Sequence, residues 1–170
     1  MIHTVPVRTA AQLSDAHALF LEYKSAIGFD LCFQDFDLEV ATLPGEYAPP
    51  GGTLLLAMVD GCAAGCVALR AMDERTCEMK RLYVRPRARG HGVGRLLCDA
   101  VIAEARARGY TRMKLDTVPQ MTEAIALYRA LGFVPVEPYR HNPIPGAIFM
   151  ELMLGSRSGE AAPPADEVAP

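Results

Sequence analysis

Arg89-Gly90-His91-Gly92-Val93-Gly94 stands between a strand-like run, Glu78 to Val84, and an apolar helical pattern that opens at Leu96-Leu97. Alternating glycines let backbone approach a ligand closely and admit positive φ, and the unpaired amides of a helix start attract anions. Strand, glycine turn and helix N-terminus in that order make a cradle for a pyrophosphate. Two other phosphate-binding patterns do not fit. A dinucleotide fold asks for Gly-x-Gly-x-x-Gly with an acidic residue about 20 residues further on, whereas these glycines are spaced Gly-x-Gly-x-Gly at mid-chain. A Walker loop needs Gly-Lys-Ser/Thr, and Gly94 is followed by Arg95 and Leu96. The plain alternative is a glycine-rich turn that binds nothing. An Arg-x-x-Gly-x-Gly match also starts at Arg87; Arg89 is preferred because it sets the last glycine directly against the helix.

Leu82-Tyr83-Val84-x-Pro86, followed by Arg89-x-x-Gly92-x-Gly94, resembles the acetyl-CoA motif of the GNAT family of N-acetyltransferases. A second stretch, Ala124-x-x-Leu127-Tyr128-x-x-x-Gly132-Phe133, is similar to the signature of that family's last helix. The resemblance covers roughly residues 2–154 and is strongest over 78–134. It implies a mixed, mostly antiparallel sheet flanked by helices, with two central strands splayed apart and pantetheine in the gap. It implies acetyl-CoA as co-substrate and no metal. Leu82, Tyr83 and Val84 would lie along the pantetheine, and Arg89, Gly90, His91, Gly92, Val93, Gly94 and Arg95 would hold the pyrophosphate. In several family members a glutamate at the strand position of Glu78 is the general base, and the helix tyrosine, here Tyr128, faces the cofactor sulfur. One departure stands out: many members carry Asn where this chain has Met121.

The chemistry asks for little. An amine must be neutral to attack a thioester, the carbonyl must be polarised, and the departing thiolate must be protonated. Backbone amides on a splayed strand can polarise the carbonyl. A carboxylate at Glu78 beside an apolar cleft is expected to have a raised pKa, as a base requires, with strict alternation placing residues 78, 80, 82 and 84 on one face. The bland reading of Glu78 is a solvated strand-end acid paired to Lys80 or Arg70, and that of Tyr128 is a core tyrosine. His91 can reach a phosphate or simply sit exposed. Arg85, Arg87, Arg106 and Arg108 read as a solvated basic face that also meets the ribose phosphate. The acceptor is expected at the Phe33–Tyr47 region, through Phe33, Gln34, Phe36, Glu39, Glu46 and Tyr47, and at the Tyr139–Pro145 loop. Carboxylates beside aromatics suit a cationic amine; Tyr139 and His141 are alternative proton handlers.

These residues need a frame. Ile2 to Arg8 reads as an edge strand because of Pro6. Thr9-x-x-Gln12 is a capping box ahead of a helix that Gly28 stops, and a second helix is expected over Leu31–Leu43. Strands follow at Thr53–Val59 and Cys62–Leu69, joined by Asp60-Gly61, then at Thr76–Val84. A helix over Gly92–Arg108 ends at Gly109, and a strand over Thr111–Thr117 precedes a helix over Met121–Leu131 that Gly132 stops. Strands over Phe133–Tyr139 and Ala147–Leu154 close an α/β order. One domain, 1–154, and a disordered tail, 155–170, are expected.

Composition narrows the function. A net charge of −3 gives no electrostatic reason to expect nucleic acid. No apolar run approaches the ~20 residues needed to span a bilayer, and the N-terminus lacks the features of a secretory signal. A cytoplasmic protein is expected, with a small-molecule or peptide amine as partner; a homodimer is compatible with this. The five cysteines, at 32, 62, 66, 77 and 98, form no zinc-finger spacing and are expected to be reduced thiols without a role. The rival function class is a non-catalytic acyl-CoA-binding module, which needs neither Glu78 nor Tyr128. A nucleotide-dependent transferase is disfavoured because Lys-Ser/Thr and metal carboxylates are absent.

Overall fold

The computed structural model describes residues 1–31 and 35–155; Cys32, Phe33, Gln34 and the tail from 156 lie outside the described residues. The elements are β1 (Ile2–Pro6), α1 (Ala10–Ile27), α2 (Phe36–Ala41), β2 (Thr53–Val59), β3 (Cys62–Ala71), β4 (Thr76–Val84), α3 (Val93–Ala107), β5 (Arg112–Thr117), α4 (Thr122–Ala130), β6 (Val134–Val136) and β7 (Ile148–Met153). Their order is the expected one. The strands form one seven-stranded sheet, β1-β2-β3-β4-β5-β7-β6, in which the β4–β5 pairing is parallel and the other pairings are antiparallel. Among the described residues no helix is long and apolar enough to cross a membrane.

Local chemistry explains the boundaries. Thr9 caps α1 through the Gln12 amide while the Gln12 side chain returns to the Thr9 amide, so two otherwise orphaned donors are satisfied. Gly28, at φ 77°, ends the helix in a left-handed cap. Asp60 and Gly61, at φ 49° and 83°, make the two-residue turn that fixes Val59 opposite Cys62. Two expected elements are shorter than their patterns. Of the helix expected over 31–43, residues 32–34 lie outside the described residues, and the described part is helical only over the six residues of α2, which Asp35 precedes at a left-handed φ of 51°. The strand expected over 133–139 stops at Val136; Pro138 cannot donate to a ladder, and the chain turns away from the sheet there.

Apolar side chains fill two layers. On one face α3 and α4 cover the sheet through Val93, Leu97, Val101 and Tyr128, packed with Met113 of β5 and Phe133. On the other, α1 and α2 pack Leu19, Phe20 and Phe36 over Leu56, Ala68 and Tyr83.

Two features of β4 position the site. It pairs with β5 only from Thr76 opposite Arg112 to Glu78 opposite Lys114. Beyond that, β4 follows β3 as far as Val84 opposite Gly65, while β5 follows β7 as far as Thr117 opposite Ile148, so a gap opens between them. The second feature is a bulge: the β3–β4 register slips between Cys66 and Ala68, and Arg81 sits at φ 59°. Cys77 and Met79 face α3, but past the bulge Leu82 and Val84 face that side as well and Tyr83 faces α1. The strict alternation expected over 78–84 is therefore broken, and Glu78 does not share a face with Leu82 and Val84.

Gly65 supports the free end of β4. A Cβ there would lie 2.6 Å from Tyr83 O and 3.3 Å from Val84 Cα, so backbone would have to move. Overpacking of this kind costs about 1–3 kcal/mol. Gly65→Ala should lower the melting temperature by roughly 2–12 °C in calorimetry; an unchanged Tm would show that β4 yields freely.

Candidate active site

The gap between β4 and β5 is continuous with a cleft of about 510 Å³. Leu82, Tyr83 and Val84 form one wall, the start of α4 with Met121 and Leu127 the other, and Tyr23, Ala26 and Ile27 of α1 lie across it. The glycine turn closes one end. Gly90 and Gly92 are left-handed, at φ 76° and 77°, and Gly92 is the N-cap of α3. Leu96 is the first residue to bond back into the helix, to Gly92 O at 3.0 Å, so the amides of Val93, Gly94 and Arg95 carry the positive end of the helix dipole. Arg89 pins the turn to β4 through Nε to Val84 O at 2.9 Å and lies over the Tyr83 ring.

Eight of the ten residues expected along the cofactor line this cleft: Leu82, Tyr83, Val84, Arg89, Gly90, Gly92, Val93 and Gly94. The side chains of His91 and Arg95 do not. His91 Nδ1 is 2.8 Å from Arg89 O and its ring lines a groove on the far side of the turn. Arg95 pairs with Asp99 one turn along α3 at 3.1 Å. What these two can offer a phosphate is backbone. Three of the four arginines expected on a basic face are likewise spoken for: Arg85 binds Glu22 with two nitrogens, Arg106 donates to Leu154 O, and Arg108 binds Glu104, while Arg87 lines the same groove as His91.

At the head of the gap the cleft narrows into a pocket that shares Tyr23, Ile27, Leu82 and Met121 with it and adds Lys80, Arg81, Asp116, Tyr128 and Asn142. Tyr128 packs against Phe133, and burial pushes its phenol well above the ordinary value, so it stays protonated.

Glu78 is fully buried at the point where β4 and β5 part. Arg70 donates to Oε1 from Nε at 2.9 Å and Nη2 at 2.8 Å, and Lys80 Nζ stands 3.9 Å from the same oxygen. Tyr139 donates to Oε2 at 2.7 Å, beside Arg140. The raised pKa expected of Glu78 is not what this surrounding produces. Burial does push it up, but Lys80, Arg140 and Arg70 outweigh burial and hold it below the ordinary carboxylate value. Nor is it the solvated acid of the bland reading.

The expected acceptor residues are also engaged. Glu39 takes Arg81 at 2.8 and 3.1 Å and Tyr47 at 2.8 Å, while Glu46 takes Arg70 at 2.6 Å. Phe36 is core, with the Arg81 guanidinium 4.9 Å from its ring centroid. Phe33 and Gln34 lie outside the described residues. Cys66, Cys77 and Cys98 are buried thiols raised to about 12 by burial, Cys62 is exposed, and Cys32 lies outside the described residues.

The sequence profile described as the acetyltransferase (GNAT) family matches residues 13–133. The chain belongs to this family. An uncharacterized N-acetyltransferase of Schizosaccharomyces pombe is 43% identical over 150 residues, which is 87% of this chain and 92% of that protein. The human N-acetylaspartate synthetase is 36% identical over 110 residues, 64% of this chain and 35% of that protein. A GNAT acetyltransferase of Elizabethkingia anophelis, solved with acetyl-CoA bound, superposes with a TM-score of 0.58 at 23% identity, covering 89% of this chain and 97% of the other.

Within this GNAT domain, sequence reasoning missed Arg81 and Arg140 as site residues and left Lys80 as no more than a partner for Glu78. A signal existed for two of them: Glu78, Lys80 and Arg81 are charged positions in a central strand, where charges must be paired. Arg140 lies in the Tyr139–Pro145 loop expected at the acceptor end, but nothing local pairs it with Glu78, 62 residues away in sequence.

Because the folded Glu78 has a depressed pKa, its contribution to stability is present above the unfolded value, about 4.5, and is lost as pH falls through the folded value. Urea unfolding from pH 7 to pH 3 should show wild-type stability falling below about pH 4.5, and falling less in Glu78→Gln. Identical pH dependences would contradict the ionised, ion-paired state.

Proposed function

We propose that this GNAT domain, 1–154, is an acyl-CoA-dependent N-acetyltransferase that moves an acetyl group from acetyl-CoA to a primary amine, such as a small molecule, amino acid or peptide, by direct attack in a ternary complex. The observation that carries the reading is one continuous gap with an anion-attracting helix start at one end and Tyr128 at the other, where Glu78 lies buried at the fork beside Lys80. The acetyl-CoA in the Elizabethkingia structure and the acetylated amino acid in the name of the human relative support the two substrates.

In this reading the amides of Arg89 to Arg95 take the pyrophosphate, and Leu82 to Val84 line the pantetheine arm. Met121, where an amide side chain is common in the family, gives apolar contact only. The amine nitrogen attacks the thioester carbonyl carbon, and the C–S bond breaks. Tyr128, protonated until the C–S bond breaks, donates a hydrogen bond to the departing sulfur and then passes it its proton. Glu78, held ionised by its cations, is a weak base, so it takes the proton only after attack has made the nitrogen cationic and acidic. Because both of its oxygens are engaged, the proton arrives through Tyr139, whose hydroxyl already donates to Oε2. Burial raises the thiols of Cys66, Cys77 and Cys98, the opposite of what an acyl-enzyme nucleophile requires.

Calorimetry with CoA tests the cofactor half: binding is expected, and none at millimolar ligand would end the proposal. Gly94 is the place to block it, since its position is free of positive φ and its neighbours, Leu127 Cδ2 at 3.6 Å and Val84 Cγ2 at 3.8 Å, line the cleft. Gly94→Glu should abolish binding by bulk and like charge while the circular dichroism spectrum is retained. For the chemistry, Tyr128→Phe should lower thiol release by ~10²–10⁴-fold with CoA affinity nearly unchanged, because the ring still packs. Near-native turnover in that variant would remove Tyr128 from the mechanism. Binding of CoA without thiol release for any amine would leave an acyl-CoA-binding module instead.

A further inference from the structure

One acid lines the pocket at the head of the gap, and it is not Glu78. Glu78 is fully buried at the fork, and among the described residues that line the pocket only Asp116 carries a carboxylate. Asp116 stands on β5 opposite Phe149, beyond Lys114, the last residue at which β5 pairs with β4. Its neighbour Leu115 belongs to the core on the α3 side, so alternation turns Asp116 to the other face. Asn142 holds it from the loop after β6. The Asn142 Oδ1 accepts from Ile144 N at 3.0 Å, which leaves its Nδ2 to donate to Asp116 Oδ2 at 3.2 Å. Among the described residues Asp116 Oδ1 has no hydrogen-bond partner. Tyr23 and Tyr128 line the same pocket; burial first, with Asp116 among the lesser causes, pushes both phenols up, so the charge of Asp116 reaches both. Lys80 and Arg81 line the β4 wall across the gap, and each stands by another acid, Lys80 3.9 Å from Glu78 and Arg81 bound to Glu39.

We infer that Asp116 holds the nitrogen of the acceptor, which enters as a primary ammonium. This deepens the N-acetyltransferase reading and rests on it. A carboxylate with one oxygen unused offers an ammonium a charge-assisted hydrogen bond, the stronger kind. The lining beside it is apolar, through Ile27, Phe29, Leu31 and Val118, so the ammonium meets no rival acid in the pocket. A nitrogen held there shares the pocket with Tyr128, the group set at the thioester sulfur. The ammonium gives one proton to water before it attacks, and Asp116 keeps a hydrogen bond to one of the two N–H groups that remain. The later proton transfer to Glu78 is unchanged.

Matched pairs of acceptors decide it: n-butylamine with O-propylhydroxylamine, and phenethylamine with O-benzylhydroxylamine, each assayed for thiol release from acetyl-CoA at about pH 7. Within a pair a methylene is exchanged for oxygen, and the amine is charged at this pH while the alkoxyamine is not. In the wild type the amine should have the lower KM by about 10-fold, the low end for a hydrogen bond to a charged group. Asp116→Asn keeps the size and can still accept from Asn142. It should erase the difference by raising KM for the amine, with acetyl-CoA affinity unchanged. Equal KM within the pairs in the wild type overturns the inference, and that comparison needs no variant to fold. A preference that survives in an Asp116→Asn protein that still binds acetyl-CoA also overturns it, as does an absence of turnover with both amines. Calorimetry with acetyl-CoA on the same sample separates the two levels: no binding ends the acetyltransferase proposal itself, whereas binding and turnover without preference for the charged acceptor ends only this inference.

Discussion

Glu78 and Lys114 are the last residues at which β4 and β5 share a ladder, and beyond them each strand keeps only its outer neighbour. A sheet that loses a pairing exposes backbone donors and acceptors that burial would penalise. The parted ends must therefore face a space that water or a ligand can enter, and the cleft is that space. The carboxylate at the fork binds β3 through Arg70 and the segment after β6 through Tyr139 and Arg140. Burying these charges costs several kcal/mol per ion, offset by their mutual attraction and by hydrogen bonds that occupy both carboxylate oxygens. Such a cluster adds little net stability, but it fixes where the strands may diverge.

The bulge at Arg81 is the second constraint, and the two are coupled. A non-glycine residue at positive φ costs of order 1 kcal/mol or more and persists only when its surroundings impose it. Arg81 is held by Glu39 of α2 and lies near the rings of Tyr23 and Phe36. Its side chain therefore joins β4 to both helices on that face. The slip in register turns Leu82 and Val84 towards the α3 side and the cleft, whereas Glu78 and Lys80 sit in the charged cluster on the other side of it. One extra residue in a strand thus separates apolar wall from charged head. The Glu22–Arg85 pair completes the arrangement by tying α1 to the end of β4, near the Tyr23–Tyr83 ring contact.

The parts of this design that were legible in the sequence are the ones written locally. Capping at Thr9, the Asp60-Gly61 turn, the glycine cradle and the helix stops at Gly28, Gly109 and Gly132 are each decided by a few adjacent residues, and their positions agree with the structure. The family's two motifs add the splay, which no composition or periodicity contains. The bulge escaped because Glu78 to Val84 reads as an unbroken alternation; only the partner strand reveals the slip. The charge cluster escaped for a different reason. Glu78 with Lys80 looks like a surface pair until Arg70 and Arg140 arrive from β3 and from a loop, and the sign of the pKa shift depends on that arrival.

In the proposed reading, cofactor and acceptor recognition rest on different material. The cradle is main chain, so the side chains of His91 and Arg95 are turned to other partners without disturbing it. The acceptor end is side chain, and its members share one carboxylate. Losing Arg70 or Arg140 alone would leave Glu78 buried with too little compensation, which is far costlier than replacing an ion pair as a unit. Residues in one such network couple strongly when altered. A substitution that keeps the fork intact therefore has to be made in pairs around Glu78 rather than singly.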